Sequence, residues 1–342
     1  MRAINVEPPG RPYLTELPVP DLRPGEVLLE VHATALNRAD LSQAAGDYPP
    51  PAGESQVLGL EAAGVVAELG PGVEESDVAR VGREACALLA GGGYAEYVAV
   101  PAAMLMPLPR GWTFEEAAAL PEAHFTAFVN LFQEARLQDG ERVLVHGGAS
   151  GVGSAAIKLA KLAGCTVYAT AGGERKVEAC RAFGADLAID RHGEPFERVI
   201  KDHGGGEGVD VILDMVGEAY FGGNLEVLAT GGRIVYIAAL SGRRLTVDIR
   251  RLMAKRAHLI GSTLRNRPLA EKVRIRNAFL ERFWPSLEDG TLKPAIDVTF
   301  PLAEAHEAHD YMRENRNIGK IVLRVRPDGG PEAHPAEDRA QH

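Results

Sequence analysis

Cysteine is scarce in this sequence, and so is any excess of positive charge. The 342 residues include three cysteines, Cys86, Cys165 and Cys180, and no two of them form a CxxC pair. An odd, scattered set excludes a disulfide scaffold and a four-cysteine zinc lobe, and it favours a reducing compartment. There are 37 lysines and arginines against 47 acidic residues, whereas a surface that binds nucleic acid should be basic.

Long apolar runs are also missing. No stretch approaches the ~20 apolar residues of a membrane-spanning helix, and the first ten residues lack the apolar segment of a signal peptide. We therefore expect a cytoplasmic protein with neither a membrane nor a nucleic-acid partner. The length corresponds to about two typical domains, and with 46% hydrophobic residues each of them can bury a core.

The hydrophobic and turn patterns change along the chain. Up to about residue 100 they predict short strands separated by proline and glycine turns. Thr113 is a plausible N-cap for a helix, and strands and helices alternate between residues 142 and 262. Because parallel strands need crossovers, this alternation predicts an α/β fold with a doubly wound parallel sheet over residues 123–265. Residues 327–342 have no large apolar residue, which predicts a disordered tail.

A glycine-rich loop stands between a predicted buried strand and a predicted helix. Glycines permit a tight turn and a close backbone approach, and the first free N–H groups of the helix can hold a pyrophosphate. Ser150 occupies the position where the strict GxGxxG pattern has its second glycine. Since the loop lies within a series of strand–helix units, we predict that it binds a dinucleotide through Gly148, Ser150, Gly151, Val152 and Gly153.

The end of the next predicted strand indicates which dinucleotide is bound. NAD-binding proteins place a carboxylate there for the ribose 2′-OH, but this chain has Gly172 and Gly173, followed by Lys176. Arg191 follows the third strand, near the same edge. Such cations suit a dianionic 2′-phosphate, which favours NADP(H). Two alternatives remain: Glu174 could serve a 2′-OH, and the cations could be ordinary surface charges.

Several motifs, taken in order, resemble the quinone oxidoreductase branch of the medium-chain dehydrogenase/reductase family, and its tumour-suppressor-inducible group most of all. The similarity covers about residues 1–326 and rests on the glycine loop and on Ala35–Leu41, Leu58–Gly64, Pro121–Ala123, Thr126–Phe128 and Asn317–Leu323. The resemblance implies a GroES-like β-rich catalytic domain over residues 1–122 and 266–326, beside a Rossmann domain over residues 123–265. It also implies an active site in the cleft between them and a homodimer, commonly built through the Rossmann sheets.

The resemblance raises the question of zinc. Zinc-dependent relatives place a cysteine in the first of these motifs and a histidine in the second, where this chain has Asn37 and Leu60. Tetrahedral zinc needs at least three protein ligands with suitable spacing. We therefore expect no metal, and we expect the substrate to be activated by hydrogen bonding and position.

Catalytic residues follow from the same resemblance. Tyr48 matches the tyrosine that lies over the nicotinamide site in similar enzymes, and its phenol could donate to a carbonyl that gains negative charge. Asn37 is a possible second donor. The alternative for Tyr48 is simple packing on the neighbouring prolines. Thr126 is similar to a residue that bonds the cofactor, although it could be only a helix N-cap.

Further cofactor contacts are implied at the carboxyl ends of the later strands, in agreement with the crevice rule for parallel sheets. They are Tyr236, Ile237, Ala238, Ala239, Ser262, Thr263 and Leu264, together with Asn317 and Lys320 from the last motif. His146 ends a buried strand, where a hydrogen-bonded structural role is the expected one.

These features predict an NADPH-dependent, zinc-independent enzyme that transfers hydride to a quinone or a conjugated enone. One alternative is an enoyl-thioester (enoyl-CoA or enoyl-ACP) reductase, for which Arg265 and Arg267 could supply basic residues at the mouth of the cleft. Another is a non-catalytic, crystallin-like protein that binds NADPH. The sequence leaves open the electron acceptor and whether one or two electrons reach it.

Overall fold

The computed structural model describes residues 1–204 and 207–326. The predicted tail at residues 327–342 lies outside the described residues. The N-terminal part consists mainly of short strands, as the sequence predicts. They are β1 (Arg2–Asn5), β2 (Tyr13–Glu16), β3 (Glu26–Ala35), β4 (Glu61–Leu69), β5 (Glu84–Leu88), β6 (Tyr97–Pro101) and β7 (Met106–Pro107), with the helices α1 (Arg38–Ala44) and α2 (Phe114–Ala118). Thr113 caps α2 as predicted, with its side chain accepting from the N–H of Glu116.

The middle of the chain alternates strands and helices. After α3 (Pro121–Phe128) come β8 (Arg142–Val145), α4 (Gly151–Leu162), β9 (Thr166–Ala171), α5 (Glu174–Ala182), β10 (Leu187–Asp190), α6 (Phe196–His203), β11 (Val209–Asp214), α7 (Glu218–Val227), β12 (Leu228–Tyr236), α8 (Ile249–Lys255) and β13 (His258–Gly261). The strands form a parallel sheet in the order β10-β9-β8-β11-β12-β13. This is the doubly wound Rossmann order, whose strand sequence reverses between β8 and β11. The predicted fold class is thereby confirmed.

The last segment of the chain returns to the first sheet. It contains α9 (Leu269–Glu288), β14 (Ile296–Pro301), α10 (Ala305–Arg313) and β15 (Lys320–Arg324). Strand β15 lies between β14 and β3 and pairs antiparallel with β3, so the two ends of the chain share one sheet. The exact domain boundaries, 1–122 plus 266–326 and 123–265, remain a prediction.

Both faces of the parallel sheet are covered. In β8, Val143 and Val145 belong to the larger core cluster, whereas Leu144 packs with Ile200 of α6 and Leu225 of α7. Helices on both faces explain why the strands are almost continuously apolar. None of the helices among the described residues is long and apolar enough to span a membrane.

Helix α3 packs on helix α9 through aromatic side chains. Phe125 and Phe128 lie edge-on to Phe279 of α9, with ring centroids 5.2 and 5.7 Å apart. The helix begins at Pro121 and continues into a π-helical turn, Val129–Glu134. Thr126 therefore lies inside a helix, and the alternative that it is an N-cap is wrong.

Candidate active site

The glycine loop between β8 and α4 has the geometry of a phosphate-binding turn. Ser150 is the N-cap of α4, and its Oγ accepts from the N–H of Gly153 at 3.0 Å. A Cβ on Gly153 would lie 2.3 Å from the carbonyl oxygen of Gly147, so no side chain fits there. The serine in place of the second glycine thus caps the helix, while Gly151 and Val152 begin its first turn. These features fit a bound pyrophosphate.

The Asn317–Leu323 motif is hydrogen-bonded to this glycine loop. The N–H of Gly319 donates to the carbonyl of Ala149 at 2.8 Å, and the Nδ2 of Asn317 donates to the carbonyl of Gly319 at 2.8 Å. A Cβ on Gly151 would lie 2.6 Å from Cδ of Lys320. The first sheet therefore reaches the cofactor loop through a backbone bond and through the aliphatic part of Lys320.

Lys320 and Glu61 form a fully buried ion pair, with Lys320 Nζ 2.7 Å from Glu61 Oε1. Lys320 Nζ also donates to the carbonyl of Leu36 and to Oδ1 of Asn37, each at 2.7 Å. All three N–H bonds of the ammonium are thus used. The expectation that Lys320 binds the cofactor is corrected, because this charge belongs to Glu61 and not to a phosphate.

Asn37 belongs to the same network. Its Nδ2 donates to Oε1 of Glu61 at 2.9 Å and to the carbonyl of Ala35 at 3.3 Å. Both amide hydrogens are therefore engaged inside the protein. This corrects the expectation that Asn37 is a second donor to the substrate: its amide instead orients Glu61 and accepts from Lys320.

Tyr48 lies on the loop after α1. It is half-buried, and its hydroxyl has no hydrogen-bond partner in the described part of the chain. Burial raises the pKa of Tyr48, the charge of Glu122 raises it further, and the charge of Arg265 opposes both. The phenol is therefore a neutral donor that remains available to a ligand.

Arg265 holds this loop in place. Its guanidinium carbon is 5.4 Å from the centre of the Tyr48 ring, and it donates to the carbonyls of Tyr48 at 3.2 Å and Ala90 at 2.7 Å and to Gln43 Oε1 at 2.8 Å. The residue is only 3% exposed. Arg267 is also engaged, with Glu134 at 2.5 Å and Glu271 at 2.6 Å. Neither arginine is a free charge at the mouth of the cleft.

Helix α3 carries two polar side chains on one face, close to the buried ion pair. Within α3, Glu122 and Thr126 are the two residues that stay partly exposed, and they lie four positions apart on the same side of the helix. Glu61 Oε2 accepts from the N–H of Glu122 at 2.8 Å, which fixes the start of the helix against the buried ion pair. In the sequence, Glu122 is the middle residue of the Pro121–Ala123 motif, and a carboxylate in an otherwise apolar helix is the signal that points to it.

The predicted 2′-phosphate site brings several cations together. A Cβ on Gly172 would lie 2.8 Å from Nε of Arg191, so the guanidinium lies against the glycine. Gly173, with φ of 82°, precedes α5 and faces open space. Burial lowers the pKa of Lys176, and the positive charges of Arg191 and Arg38 add to this effect. Mutual repulsion among these cations is relieved by a dianion. Arg38 also acts on Lys176, but it is distant in the sequence and only the fold brings the two side chains together, so the sequence does not predict its place in this site.

The other predicted contacts lie at the carboxyl edge of the parallel sheet. Ile237, Ala238 and Ala239 follow β12, and Ser262, Thr263 and Leu264 follow β13. The ring of Tyr236 packs in the core on the α6 and α7 side of the sheet. The cofactor contact at Tyr236 stays a prediction.

Two buried histidines, His146 and His124, have structural roles. His146 is fully buried, with its Nδ1 2.9 Å from Thr170 Oγ1 and its Nε2 2.7 Å from Asn224 Oδ1. Burial lowers its pKa. Burial also lowers the pKa of His124 to about 3, so this ring is neutral and its Nδ1 lies 3.0 Å from the carbonyl of Leu120. In the part of the chain that the structure describes, no group of three or more His, Cys, Asp or Glu side chains could hold a metal ion.

Comparison with known families gives two matches. Residues 23–110 match the alcohol dehydrogenase GroES-like domain, and residues 151–279 match the family described as zinc-binding dehydrogenase. The rat quinone oxidoreductase is 31% identical over 328 residues, which cover 94% of this chain and 97% of that protein. The polyketide synthase GfsB of Streptomyces halstedii is 35% identical over 96% of this chain, but the chain spans only 6% of its length.

Solved structures show the same architecture. The quinone oxidoreductase from Thermus thermophilus, solved alone and with NADPH, is 33% identical with a TM-score of 0.81, and the match covers 95% of this chain and 100% of that one. The JamJ enoyl reductase in its apo form is 25% identical with a TM-score of 0.82, and the match covers 94% and 98% of the two chains. Both kinds of reductase are therefore similar to this chain over nearly its whole length.

Proposed function

Because this chain belongs to the medium-chain dehydrogenase/reductase family, in the branch of the quinone oxidoreductases, we propose that it is an NADPH-dependent oxidoreductase that reduces a quinone or a conjugated enone. The observation that carries the proposal is a dinucleotide loop tied to a second unit whose Tyr48 hydroxyl is unpartnered among the described residues. A cofactor on the loop and an acceptor beneath Tyr48 would then share one cleft.

The residues present fit NADPH. The N-terminal turn of α4 suits the pyrophosphate, the Lys176 and Arg191 pair suits the 2′-phosphate, and the open face of α3 with Thr126 suits the nicotinamide end. Bound NADPH supplies a hydride. The chain itself orients the acceptor: the Tyr48 phenol donates to the oxygen on which negative charge develops. We propose no metal for this site.

The cofactor preference is testable at the cation site. In the double variant Lys176→Ala/Arg191→Ala, the ratio of NADPH to NADH affinity should fall by about tenfold or more for each side chain removed, since charge-assisted bonds to phosphate contribute about 1.5–3 kcal/mol. Isothermal titration of both cofactors measures this ratio. The matched control is Arg198→Ala/Lys201→Ala on α6, which should leave it unchanged. An unchanged ratio in the first variant would refute the 2′-phosphate site.

A second copy of the chain is the proposed partner at the edge of the parallel sheet. Strand β13 pairs with β12 along one side, and Leu259 on it is 37% exposed. Nearby Ile249 and Met253 of α8 are 68% and 70% exposed. An apolar sheet edge of this kind favours strand pairing between two chains.

The proposed homodimer predicts a change of mass on mutation. Leu259→Glu should convert the dimer to a monomer, because it places a charge in the shared edge, and multi-angle light scattering measures the result. Leu162→Glu on α4, at a similarly exposed leucine, should leave the dimer intact. A monomeric wild-type protein, or a dimeric Leu259→Glu variant, would contradict the interface.

Enoyl-thioester reduction is the second candidate function, and the similarity to the JamJ enoyl reductase favours it. The predicted role of Arg265 and Arg267 as basic residues at the mouth of the cleft receives no support, because both side chains form hydrogen bonds or ion pairs within the protein. A non-catalytic NADPH-binding protein is a third possibility, which the available Tyr48 hydroxyl disfavours. Assays of NADPH oxidation with a quinone, an enone and an enoyl-CoA separate the three, and analysis of the quinone product distinguishes one-electron from two-electron reduction.

A further inference from the structure

Glu122 is a titratable side chain whose charge acts on Tyr48, and the proposed function has no role for it so far. It lies in the first turn of α3, one helical turn before Thr126 and on the same open face. Its backbone N–H is bound to Glu61 Oε2, so its position is fixed by the buried Glu61–Lys320 pair. The start of α3 is therefore fixed beside this ion pair, which places Glu122 next to it.

The carboxyl of Glu122 is free of partners in the part of the protein that the structure describes. Among these residues, no N–H or O–H group donates to it and no cation lies within ion-pairing distance. Glu61 differs, since it accepts from Lys320, Asn37 and the N–H of Glu122. Lys320, the nearest buried cation, is fully used by Glu61 and by the oxygens of Leu36 and Asn37. Glu122 thus lies beside a buried ion pair without a counter-ion of its own.

Its surroundings favour the neutral acid. The side chain is only partly exposed, and this partial removal from water, together with the negative charges of Glu61 and Asp40, raises the pKa of Glu122 to about 8 against the opposing effects of Lys320 and Lys272. The charged and titratable groups that act on it come from separate segments of the chain. They are Asp40, Tyr48, Glu61, Lys272 and Lys320, with Arg265 beside Tyr48. At neutral pH the carboxyl is therefore mostly protonated, and it can donate.

We propose that Glu122 is the proton donor of this active site, acting beside Tyr48 on the oxygen of the acceptor. The inference rests on the proposed function. When two electrons enter the acceptor with the hydride, its oxygen becomes an anion. The O–H bond of Glu122 then breaks, its proton passes to that oxygen, and the electron pair stays on the carboxylate, which recovers a proton from water. A neutral acid thereby stabilises the developing oxyanion without a metal ion.

The test is Glu122→Gln, which keeps the size of the side chain but removes the transferable proton. In the wild-type protein, kcat should fall above a pH of about 8, as Glu122 loses its proton. In the variant, this alkaline limb should disappear and kcat at neutral pH should fall about 10²- to 10⁴-fold. Glu122→Asp should retain part of the activity together with an alkaline limb. The NADPH dissociation constant, measured by titration, should stay the same in both variants, which also reports that they fold.

A second readout needs no turnover. Infrared difference spectra of the protein without cofactor, between about pH 7 and pH 9 on either side of this pKa, should show the loss of a protonated carboxyl band. The band should be absent in Glu122→Gln and present in the control Glu281→Gln, which changes an exposed residue of α9. Asp40, whose pKa is raised to about 6, titrates below this interval.

The outcomes separate the two claims. An active wild-type enzyme with unchanged kcat and pH profile in Glu122→Gln would overturn the role of Glu122 and leave the proposed function standing. The absence of the carboxyl band from the wild-type protein would also overturn it. A wild-type protein that oxidises NADPH with none of the acceptors would instead contradict the proposed function, whatever the infrared result.

Discussion

Replacing Lys320 with methionine should lower the free energy of unfolding by about 3–5 kcal/mol, because it leaves the buried carboxylate of Glu61 without its counter-ion. The substitution also leaves the carbonyl of Leu36 and Oδ1 of Asn37 without the hydrogen bonds that Lys320 donates to them. Urea denaturation followed by circular dichroism measures the effect. Since the pair joins strands β4 and β15, the variant tests whether this contact holds the two ends of the chain together.

A matched control distinguishes a buried pair from an exposed one. Lys161 pairs with Asp186 at 2.8 Å, but both side chains are more than a third exposed. Lys161→Met should therefore change the free energy of unfolding by less than about 1 kcal/mol. The double variant Lys320→Met/Glu61→Gln should recover part of the stability, because no uncompensated charge remains. Equal effects of Lys320→Met and Lys161→Met would contradict the buried pair.

The second large effect is expected at Tyr48. Tyr48→Phe should reduce kcat about 10²- to 10³-fold, the usual consequence of removing one donor from a developing oxyanion. The phenol has no partner among the described residues, so the change leaves no buried polar group unsatisfied, and neither stability nor NADPH affinity should change. Steady-state kinetics and cofactor titration give the two readouts.

The control for Tyr48 is an exposed tyrosine remote from the cleft. Tyr13→Phe, on strand β2, should leave kcat unchanged. Wild-type turnover in Tyr48→Phe would show that this tyrosine only packs in its loop. A fall in kcat accompanied by an equal loss of NADPH affinity would indicate a cofactor contact in place of activation of the acceptor.

Local patterns were sufficient for much of the fold. The capped start of α2 at Thr113, the glycine loop and the alternation of β8 to β13 are all determined by residues close in sequence. The start of α3 was predicted less well, because the apolar stretch after Thr126 hides a continuous helix that begins at Pro121 and ends in a π-helical turn. Periodicity alone does not place such a boundary.

The chemistry of the site depends on contacts between distant residues. Lys320 and Glu61 are 259 positions apart, and Arg265 reaches Gln43 across 222 positions. Such pairings decide which polar groups are bonded within the protein and which stay available to a ligand. Asn37 and Lys320, which the sequence predicts to contact substrate and cofactor, instead bond to Glu61 and to each other. Glu122 gains its importance in the same way, since its unusual pKa comes from burial beside Glu61. No motif encodes that environment.

The central claim is that this chain uses NADPH to reduce a quinone or a conjugated enone. The most direct measurement is the rate of NADPH oxidation by the purified protein with a quinone, an enone and an enoyl-CoA, each repeated with NADH. We expect oxidation with the quinone or the enone and a clear preference for NADPH. A protein that binds NADPH but oxidises it with neither acceptor would contradict the claim.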